Sequence, residues 1–361
     1  MSSPVLTHPP PTCDSLLSAT EAQRTAWLNF QPALAFVRDN ALAETSTDNF
    51  GTAARAYIAV CSHFGLQPVP ATGITDRHLC AFITFLVMKK YAFATVTNYL
   101  SMGPRLLSLR VLGTYTSIEN RPLVQQALNG ARRLLGTAPK AKLPITLPLL
   151  TAMLGTLDQS VRSKLLRAAM LVGFWASLRK SNISLKGGRA IGHCLTRGNV
   201  VFREDGRVSI TLTSAKNNQF RARTHTVVLP RFGLGDPAGH LCPSRALEVF
   251  YADPAASNLP FNGPAFSYRQ SQQWVSLTHS QLVNFIKTSL RQLNVDANAY
   301  SGHSLRRGGI TTAFRSGASE VELRYLGDFH SAVFQRYITL GAEDASITAQ
   351  RMAAYANYAL M

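Results

Sequence analysis

Acidic residues are scarce in this sequence. The 361-residue chain holds 19 Asp and Glu against 37 Lys and Arg, which gives a formal net charge of +18 and a pI of about 10.2. Clusters of carboxylates of the kind that hold two metal ions in nucleases are missing from it. The positive excess favours a polyanionic partner, of which nucleic acid is the commonest. A hydrophobic fraction of 46% over this length predicts a globular protein with room for two domains.

Cysteine is also scarce in this sequence. The five cysteines are odd in number and widely spread, which argues against a disulfide framework and fits a reducing compartment. His193-Cys194 and His240-x-Cys242 match no structural zinc spacing, and Cys242-Pro243 is typical of a loop that enters a helix. The sequence therefore predicts neither a metal nor another cofactor.

Long hydrophobic runs and a signal peptide are missing as well. The best apolar run, residues 169–178, is short and is flanked by Arg167 and Arg179. The N-terminus has neither the basic segment nor the apolar stretch of a signal peptide. We expect a soluble, intracellular protein that is not secreted and has no membrane partner.

The first part of the chain is predicted to be helical. Residues 1–44 begin with a Pro-rich polar stretch and are expected to form a partly disordered tail. From residue 45 to 129 the apolar residues are spaced for helix faces, with one helix opening at Thr75 and another over residues 93–109. The first predicted core face comprises Tyr57, Val60, Phe64 and Leu66.

A basic linker is predicted over residues 130–148, where cations alternate with prolines. Its cations are Arg132, Arg133, Lys140 and Lys142. Prolines hold a linker extended, so these side chains either follow a phosphate backbone or decorate a solvated loop between domains. The sequence favours the two interpretations equally.

Residues 149–361 combine helices with short strands. Helices are predicted over residues 149–178, 244–251 and 280–293. Alternating apolar residues predict strands over residues 200–202, 207–213 and 224–229. The last of these helices is announced by Thr278-x-x-Gln281, a capping box. The predicted fold is therefore mainly α with a small antiparallel β-sheet.

The most informative stretch is Tyr300-Ser-Gly-His303-Ser-Leu-Arg306-Arg-Gly-Gly, and Tyr337 follows it, ten residues after a glycine. On a helix, His303 and Arg306 would share one face and point at a single anion. Cations that converge on a phosphate, together with a hydroxyl able to attack it, suit metal-free phosphoryl transfer through a covalent intermediate.

This spacing resembles the C-terminal signature of the tyrosine recombinase, or phage-integrase-like, superfamily. The Arg-Arg-Gly-Gly motif is most similar to that of the eukaryotic mobile-element branches of this superfamily, the crypton-like and DIRS-like recombinases. The resemblance implies a helical, SAM-like core-binding domain over residues 45–129 and an α+β catalytic domain over residues 149–361. It also implies cleavage and rejoining of double-stranded DNA through a 3′-phosphotyrosyl intermediate, by a homo-oligomer (a tetramer on paired sites). A eukaryotic source would place the protein in the nucleus, and any other source in the cytoplasm or nucleoid.

The resemblance assigns roles to individual residues. Those that match the catalytic pattern of the family are Arg179, Lys216, His303, Arg306 and Tyr337. The arginines would hold phosphate oxygens, because a guanidinium stays charged and binds two oxygens at once. Lys216, in a turn between two strands, would protonate the departing 5′-oxygen. His303 would accept the tyrosine proton or hydrogen-bond the phosphate. Arg307 is expected to join the linker cations in binding DNA.

Two departures from the family pattern leave the activity open. Asp328 and Phe329 stand where His or Trp is usual, and His330 follows one position later. Phe fills the volume of Trp but offers no N–H to a phosphate oxygen, and an inward carboxylate would repel that phosphate. Asn182 replaces an acid that often follows the first arginine, so it can orient a neighbour but supplies no charge.

A DNA strand-exchange enzyme is the leading interpretation. The alternatives are a catalytically impaired DNA-binding protein derived from a mobile-element recombinase, and a type IB topoisomerase that acts as a monomer. Residues 338–361 bear on the choice, since their apolar face would dock either on a neighbouring protomer or on its own domain. That face comprises Ile347, Met352, Tyr355 and Tyr358.

Overall fold

A computed structural model describes residues 44–341, apart from residues 116, 137–141, 188–193, 214–223 and 234, and also residues 21, 344, 350 and 352. The chain divides into two compact units, residues 1–139 and 140–361. The division falls inside the linker predicted over residues 130–148. The tail predicted for residues 1–44 lies outside the described residues apart from Glu21 and Glu44. Of the predicted C-terminal apolar face, only Met352 is described, and it is 68% exposed.

The described part of the first unit is helical. Its helices are α1 (Glu44–His63), α2 (Asp76–Met88), α3 (Phe93–Val111) and α4 (Pro122–Leu135), with a 3₁₀ turn at Ile118–Asn120. Helices α1 and α3 approach closely, because a Cβ added at Gly103 would lie 2.6 Å from the carbonyl oxygen of Ala53. The helices predicted at Thr75 and over residues 93–109 are confirmed. The largest side chains of this core include Tyr57, Leu79, Phe82, Ile83 and Leu100.

Two predictions for this unit are wrong. Phe64 is 51% exposed, because helix α1 ends at His63 and Phe64 therefore leaves the periodic face. Arg132 and Arg133 lie in the last turn of α4, not in an extended linker. The helix continues to Leu135 because no proline interrupts it before Gly136, which ends it with a φ of 71°.

The second unit is built around a buried helix. Its described helices are α5 (Leu147–Gly155), α6 (Val161–Trp175), α7 (Lys180–Ile183), α8 (Pro243–Tyr251), α9 (His279–Gln292), α10 (Ser304–Arg315) and α11 (Glu320–Leu326). Short 3₁₀ segments occur at Arg197–Asn199, Gly239–Leu241, Ala297–Ala299 and Ala332–Tyr337. Helix α6 packs against α8 and α10, and its last two turns are buried. The apolar run over residues 169–178 is therefore a core element, and no described helix is both long and apolar enough to cross a membrane.

A small antiparallel sheet lies beside these helices. It comprises β1 (Val200–Phe202), β2 (Val208–Leu212) and β3 (His225–Leu229), in that order. Ile210 pairs with Val200 on one side and Val227 on the other, and burial alternates along β2 as predicted. The capping box of Thr278 and Gln281 is also confirmed. The mainly α fold with a small antiparallel sheet is thus as predicted.

A second, two-stranded hairpin was not predicted. It consists of β4 (Ser267–Gln270) and β5 (Gln273–Ser276). Its turn residues Ser271 and Gln272 have φ values of 46° and 67°, a conformation that usually selects Asn or Gly. Because the strands are largely polar and the turn lacks those residues, neither periodicity nor turn chemistry indicated it.

Candidate active site

Helix α10 carries Arg306 and packs directly against backbone of the core. The two glycines that follow the arginine pair permit this approach. A Cβ added at Gly308 would lie 2.0 Å from the carbonyl oxygen of Ile145, and one added at Gly309 would lie 2.2 Å from that of Phe174. Any side chain at either position would push the helix off the closely packed core. The two glycines of the Arg-Arg-Gly-Gly motif therefore let α10 lie against the core, and this contact sets the position of Arg306.

Arg306 is a buried cation, with 2% of its surface exposed. Its Nη1 donates to the carbonyl oxygen of Ser177 at 2.5 Å, and its Nη2 donates to that of Gly327. Its Cζ lies 4.3 Å from the centre of the Phe329 ring. The carbonyls and the aromatic face offset part of the cost of removing the guanidinium from water. Nε is buried and has no hydrogen-bond partner among the described residues, and each Nη carries a second N–H.

Tyr337 lies half-buried beside that guanidinium, at the end of the 3₁₀ segment Ala332–Tyr337. The centre of its ring is 5.0 Å from Cζ of Arg306 and 5.2 Å from the centre of the Phe329 ring. Phe329 therefore contacts both residues. The cation and the hydroxyl that the sequence motif assigned to one reaction are neighbours in space, although they are distant in the chain.

The electrostatic balance at Arg306 is set by burial and by three nearby groups. Burial lowers the pKa of Arg306 below its ordinary value, and the charge of Arg179 lowers it further, whereas Tyr337 and Asp328 raise it. An arginine remains protonated at any working pH despite such a shift. Arg179 and Arg306 thus form a pair of like charges whose repulsion a bound anion would relieve.

Arg179 reaches the site from the turn that follows α6. Ser177 in this turn has a φ of 48° and supplies one of the carbonyls that bind Arg306. The backbone N–H of Arg179 donates to Oδ1 of Asn182 at 3.0 Å, and Asn182 is 2% exposed. Asn182 therefore orients the start of α7, where Arg179 stands, and adds no charge there.

The loop after α11 turns Phe329 inward. Phe329 is 6% exposed, and its ring lies so close to Gly327 that a Cβ added there would come within 2.0 Å. Asp328 is 5% exposed with a φ of 51°, whereas His330 is exposed. The structure places Phe329, not His330, against Arg306, with a buried carboxylate near enough for its charge to act on that arginine.

The two remaining candidates for the catalytic set are His303 and Lys216. His303 is the residue before α10, and its side chain is exposed whereas that of Arg306 is buried. The backbone N–H of His303 donates to Oγ of Ser301 at 3.2 Å. Lys216, with the turn predicted around it, lies outside the described residues.

The predicted DNA-binding cations of the linker have different surroundings. Arg132 and Arg133 are exposed in the last turn of α4. Lys142 is exposed and donates one of the three N–H groups of Nζ to the carbonyl oxygen of Asn298 at 2.6 Å. Lys140 lies outside the described residues.

Arg307 binds backbone next to the candidate nucleophile. Its Nη1 donates to the carbonyl oxygen of Arg336 at 2.5 Å, and its Nη2 donates to Oγ1 of Thr339 at 2.8 Å. Thr311, one turn later on the same helix, donates to the carbonyl oxygen of Tyr337 at 3.2 Å. Sequence reasoning missed Thr311, although its spacing of four residues from Arg307 is that of two neighbours on one helix face.

The chemistry of this site follows from two arginines, the Phe329 ring that contacts one of them, and the hydroxyl of Tyr337. Among the residues that the structure describes, no three His, Cys, Asp or Glu side chains gather in a way that could hold a metal ion. The donors of Arg306 and the charge of Arg179 suit an oxyanion such as a phosphate. A tyrosine hydroxyl placed beside that anion is a potential nucleophile.

Comparison with known proteins shows the fold. No family model matches the chain, and no curated protein matches it. Among solved structures, the Tn1549 transposon integrase in complex with transposon right end DNA is similar with 11% identity and a TM-score of 0.56, over 89% of this chain and 98% of that one. XerH site-specific recombinase bound to difH substrate is similar with 13% identity and a TM-score of 0.48, over 77% of this chain and 71% of that one. The chain therefore has the mainly helical fold, with a small antiparallel sheet, of the tyrosine recombinases.

Proposed function

We propose that this protein cleaves and rejoins DNA strands through a covalent phosphotyrosyl intermediate, with Tyr337 as the nucleophile. The observation that carries the proposal is the distance of 5.0 Å between the Tyr337 ring centre and Cζ of the buried Arg306. A phosphodiester under attack gains negative charge on its non-bridging oxygens. A cation that is already held in a buried position stabilises this charge more strongly than a cation in water.

In the proposed reaction, Oη of Tyr337 forms a bond to phosphorus while the bond from phosphorus to the 5′-oxygen breaks. The tyrosine proton passes to a base, for which His303 is the candidate, and Lys216 gives a proton to the departing 5′-oxygen. The cleaved strand is left as a 3′-phosphotyrosyl ester. This ester conserves the energy of the broken bond, so the 5′-hydroxyl of another strand can reverse the step and complete an exchange.

Double-stranded DNA is the proposed substrate. The net charge of +18 supports a polyanionic partner, and the Tn1549 integrase of the same fold was solved with transposon DNA. Strand exchange between two sites requires several protomers, so we expect a tetramer on paired sites. The Arg-Arg-Gly-Gly motif supports an origin in a crypton-like or DIRS-like mobile element, which would place the protein in a nucleus. Any other origin would place it in the cytoplasm or nucleoid.

Trapping of a covalent adduct tests this proposal. A pool of nicked suicide duplexes with a randomised centre loses a short strand segment on cleavage, so the covalent step cannot be reversed. We expect the wild-type protein to form an adduct that survives a denaturing gel, and Tyr337→Phe to form none. Tyr268→Phe, the same change in strand β4, is the matched control and should form the adduct.

The outcomes of this experiment separate the candidate functions. An adduct that persists in Tyr337→Phe would remove Tyr337 as the nucleophile. Salt-sensitive binding to the duplexes without any adduct would favour a catalytically impaired DNA-binding protein, with Asp328 and Phe329 as the suspected cause.

A further inference from the structure

Two side chains of helix α10 hold the backbone on both sides of Tyr337. Arg307 donates to the carbonyl oxygen of Arg336 at 2.5 Å and to Oγ1 of Thr339 at 2.8 Å. The hydroxyl of Thr311 donates to the carbonyl oxygen of Tyr337 at 3.2 Å and accepts from the N–H of Thr339 at 3.3 Å. We call Arg307, Thr311 and Thr339 the tyrosine clamp.

The tyrosine clamp ties Tyr337 to the helix that carries Arg306. The segment Ala332–Tyr337 is a 3₁₀ helix of six residues. Helices of this kind have poor hydrogen-bond geometry and seldom run beyond three or four residues, so the segment has little stiffness of its own. Its attachment to α10 therefore sets the position of the Tyr337 ring relative to the guanidinium of Arg306.

The guanidinium of Arg307 is half-buried and bound to other groups of the protein. Its two Nη atoms bind the backbone of Arg336 and the side chain of Thr339, and its Nε is buried. A cation next to a phosphate-binding arginine would ordinarily be assigned to the DNA backbone, as the sequence suggested. The contacts around it indicate a different role.

We infer that Arg307 is a positioning residue, which aims Tyr337 by holding residues 336 and 339 and does not bind a DNA phosphate. The inference rests on the proposed function of Tyr337 as the nucleophile. It predicts that the planar fork of Arg307, and not its charge, is what cleavage requires.

Lysine separates these two roles. It keeps the positive charge that a phosphate contact needs, but it lacks the rigid fork that binds two acceptors at once. In a positioning role, Arg307→Lys loses the clamp and leaves DNA affinity unchanged. In a DNA-binding role, Arg307→Lys keeps most of the affinity and cleaves normally.

Single-turnover cleavage of the suicide duplexes that trap the wild type provides the first test. We expect Arg307→Lys to cleave on the order of 10²-fold more slowly, which is the effect of misplacing a reacting group by about 1 Å. Its Kd and the salt dependence of that Kd should equal those of the wild type. A wild-type cleavage rate would overturn the inference. So would weaker binding of Arg307→Gln, which removes the charge, with a salt slope smaller by about 1, because that is the signature of a lost phosphate contact.

Two further variants and a control sharpen the result. Thr339→Val removes the acceptor of Nη2 without changing any charge, so it should slow cleavage as well. The double variant that combines Arg307→Lys with Thr339→Val should cleave no more slowly than Arg307→Lys alone, because both changes remove the hydrogen bond between residues 307 and 339. Arg315→Lys makes the identical change later on the same helix, where the arginine pairs with Asp344, and should cleave at the wild-type rate.

Hydrogen exchange in the DNA-free protein tests the clamp without any cleavage. The Thr339 amide is bound by Thr311, so it should exchange faster in Arg307→Lys and Thr311→Val than in the wild type, while amides in the middle of α10 keep their rates. Unchanged exchange over residues 336–341 would show that no clamp exists. Should the wild type cleave no DNA at all, the proposed function would fail, and faster exchange in the variants would still establish the clamp.

Discussion

Asp328 is the residue that opposes the proposed chemistry most directly. It is 5% exposed, adopts a φ of 51°, and its charge raises the pKa of Arg306. A carboxylate at a few ångströms from a phosphate repels it by up to several kcal/mol at the effective dielectric of a protein. The same group whose charge favours the buried Arg306 in the free protein would therefore compete with the DNA phosphate of the proposed reaction.

Asp328→Asn should therefore strengthen DNA binding. Asparagine has the shape of aspartate and readily adopts the left-handed conformation, so the substitution removes charge with little change in backbone. We expect the Kd for a nicked duplex to fall about tenfold, equivalent to about 1.4 kcal/mol. Fluorescence anisotropy at a fixed salt concentration measures this change.

Asp205→Asn is the control for net charge. Asp205 lies between β1 and β2 with 43% of its side chain exposed, and its removal raises the charge of the chain by the same amount. Its Kd should stay within about twofold of the wild type, because exposed charges are screened. If Asp328→Asn bound DNA no more tightly than Asp205→Asn, the Asp328 carboxylate would not face the phosphate.

Spacing along the chain indicated which residues share the site but not what surrounds each of them. Arg306 and Tyr337 were assigned to one reaction from the motif alone, and the structure places them side by side. The surroundings of Arg307 were not predictable, because its acceptors include a backbone carbonyl of Arg336, which leaves no trace in the sequence. The inward position of Phe329 likewise depends on how the chain turns after Gly327.

At the scale of elements, the contact between α10 and the core depends on the absence of side chains. Gly308→Ala would place a Cβ 2.0 Å from the carbonyl oxygen of Ile145. The helix must shift to accommodate this Cβ, so we expect the free energy of unfolding to fall by about 1–3 kcal/mol. Urea-induced unfolding measures this loss, and the covalent adduct should disappear because Arg306 moves with the helix.

Gly155→Ala is the matched control for that substitution. Gly155 is the last residue of α5 in the same unit, and nothing lies within 4 Å of an added Cβ. Alanine is the better helix former, so this variant should be as stable as the wild type or more stable by up to about 1 kcal/mol. Equal stability of the two variants would contradict the close approach of α10 to the core.

Elements with a strong apolar period were predictable, and those without one were not. Helix α9 and strand β2 carry clear periodicity, and both lie where the sequence placed them, to within two residues at each end. The hairpin of β4 and β5 was missed because its strands are polar and its turn uses Ser271 and Gln272 at positive φ. The end of α4 was missed because prolines further along suggested an extended chain before the helix had ended.

At the scale of the whole molecule, several cations bind other groups of the protein. Lys142 and Arg307 bind carbonyl oxygens, and Lys164 pairs with Asp253 at 2.9 Å. The formal charge of +18 already counts Lys164 against Asp253, so only contacts to neutral groups, such as those of Lys142 and Arg307, further reduce the donors left for an anion. Arg132 and Arg133 are exposed in the last turn of α4, and no ion pair joins either side chain to another described residue.

We expect Arg132 and Arg133 to contribute directly to the salt dependence of DNA binding. Each phosphate contact adds about 0.9 to the slope of log K against log salt, so Arg132→Gln combined with Arg133→Gln should make the slope shallower by about 2. Cleavage at saturating DNA should be unchanged, because the variant leaves the second unit intact. Affinity measured across a salt series gives the slope.

Arg203→Gln combined with Arg207→Gln removes the same charge from a different surface. Both arginines flank Asp205, with 45% and 49% of their side chains exposed. If DNA binding were a general response to net charge, both double variants would change the slope equally. A slope that responds to Arg132 and Arg133 alone would instead assign the end of α4 to the DNA backbone, since counterions are released only where side chains meet phosphates.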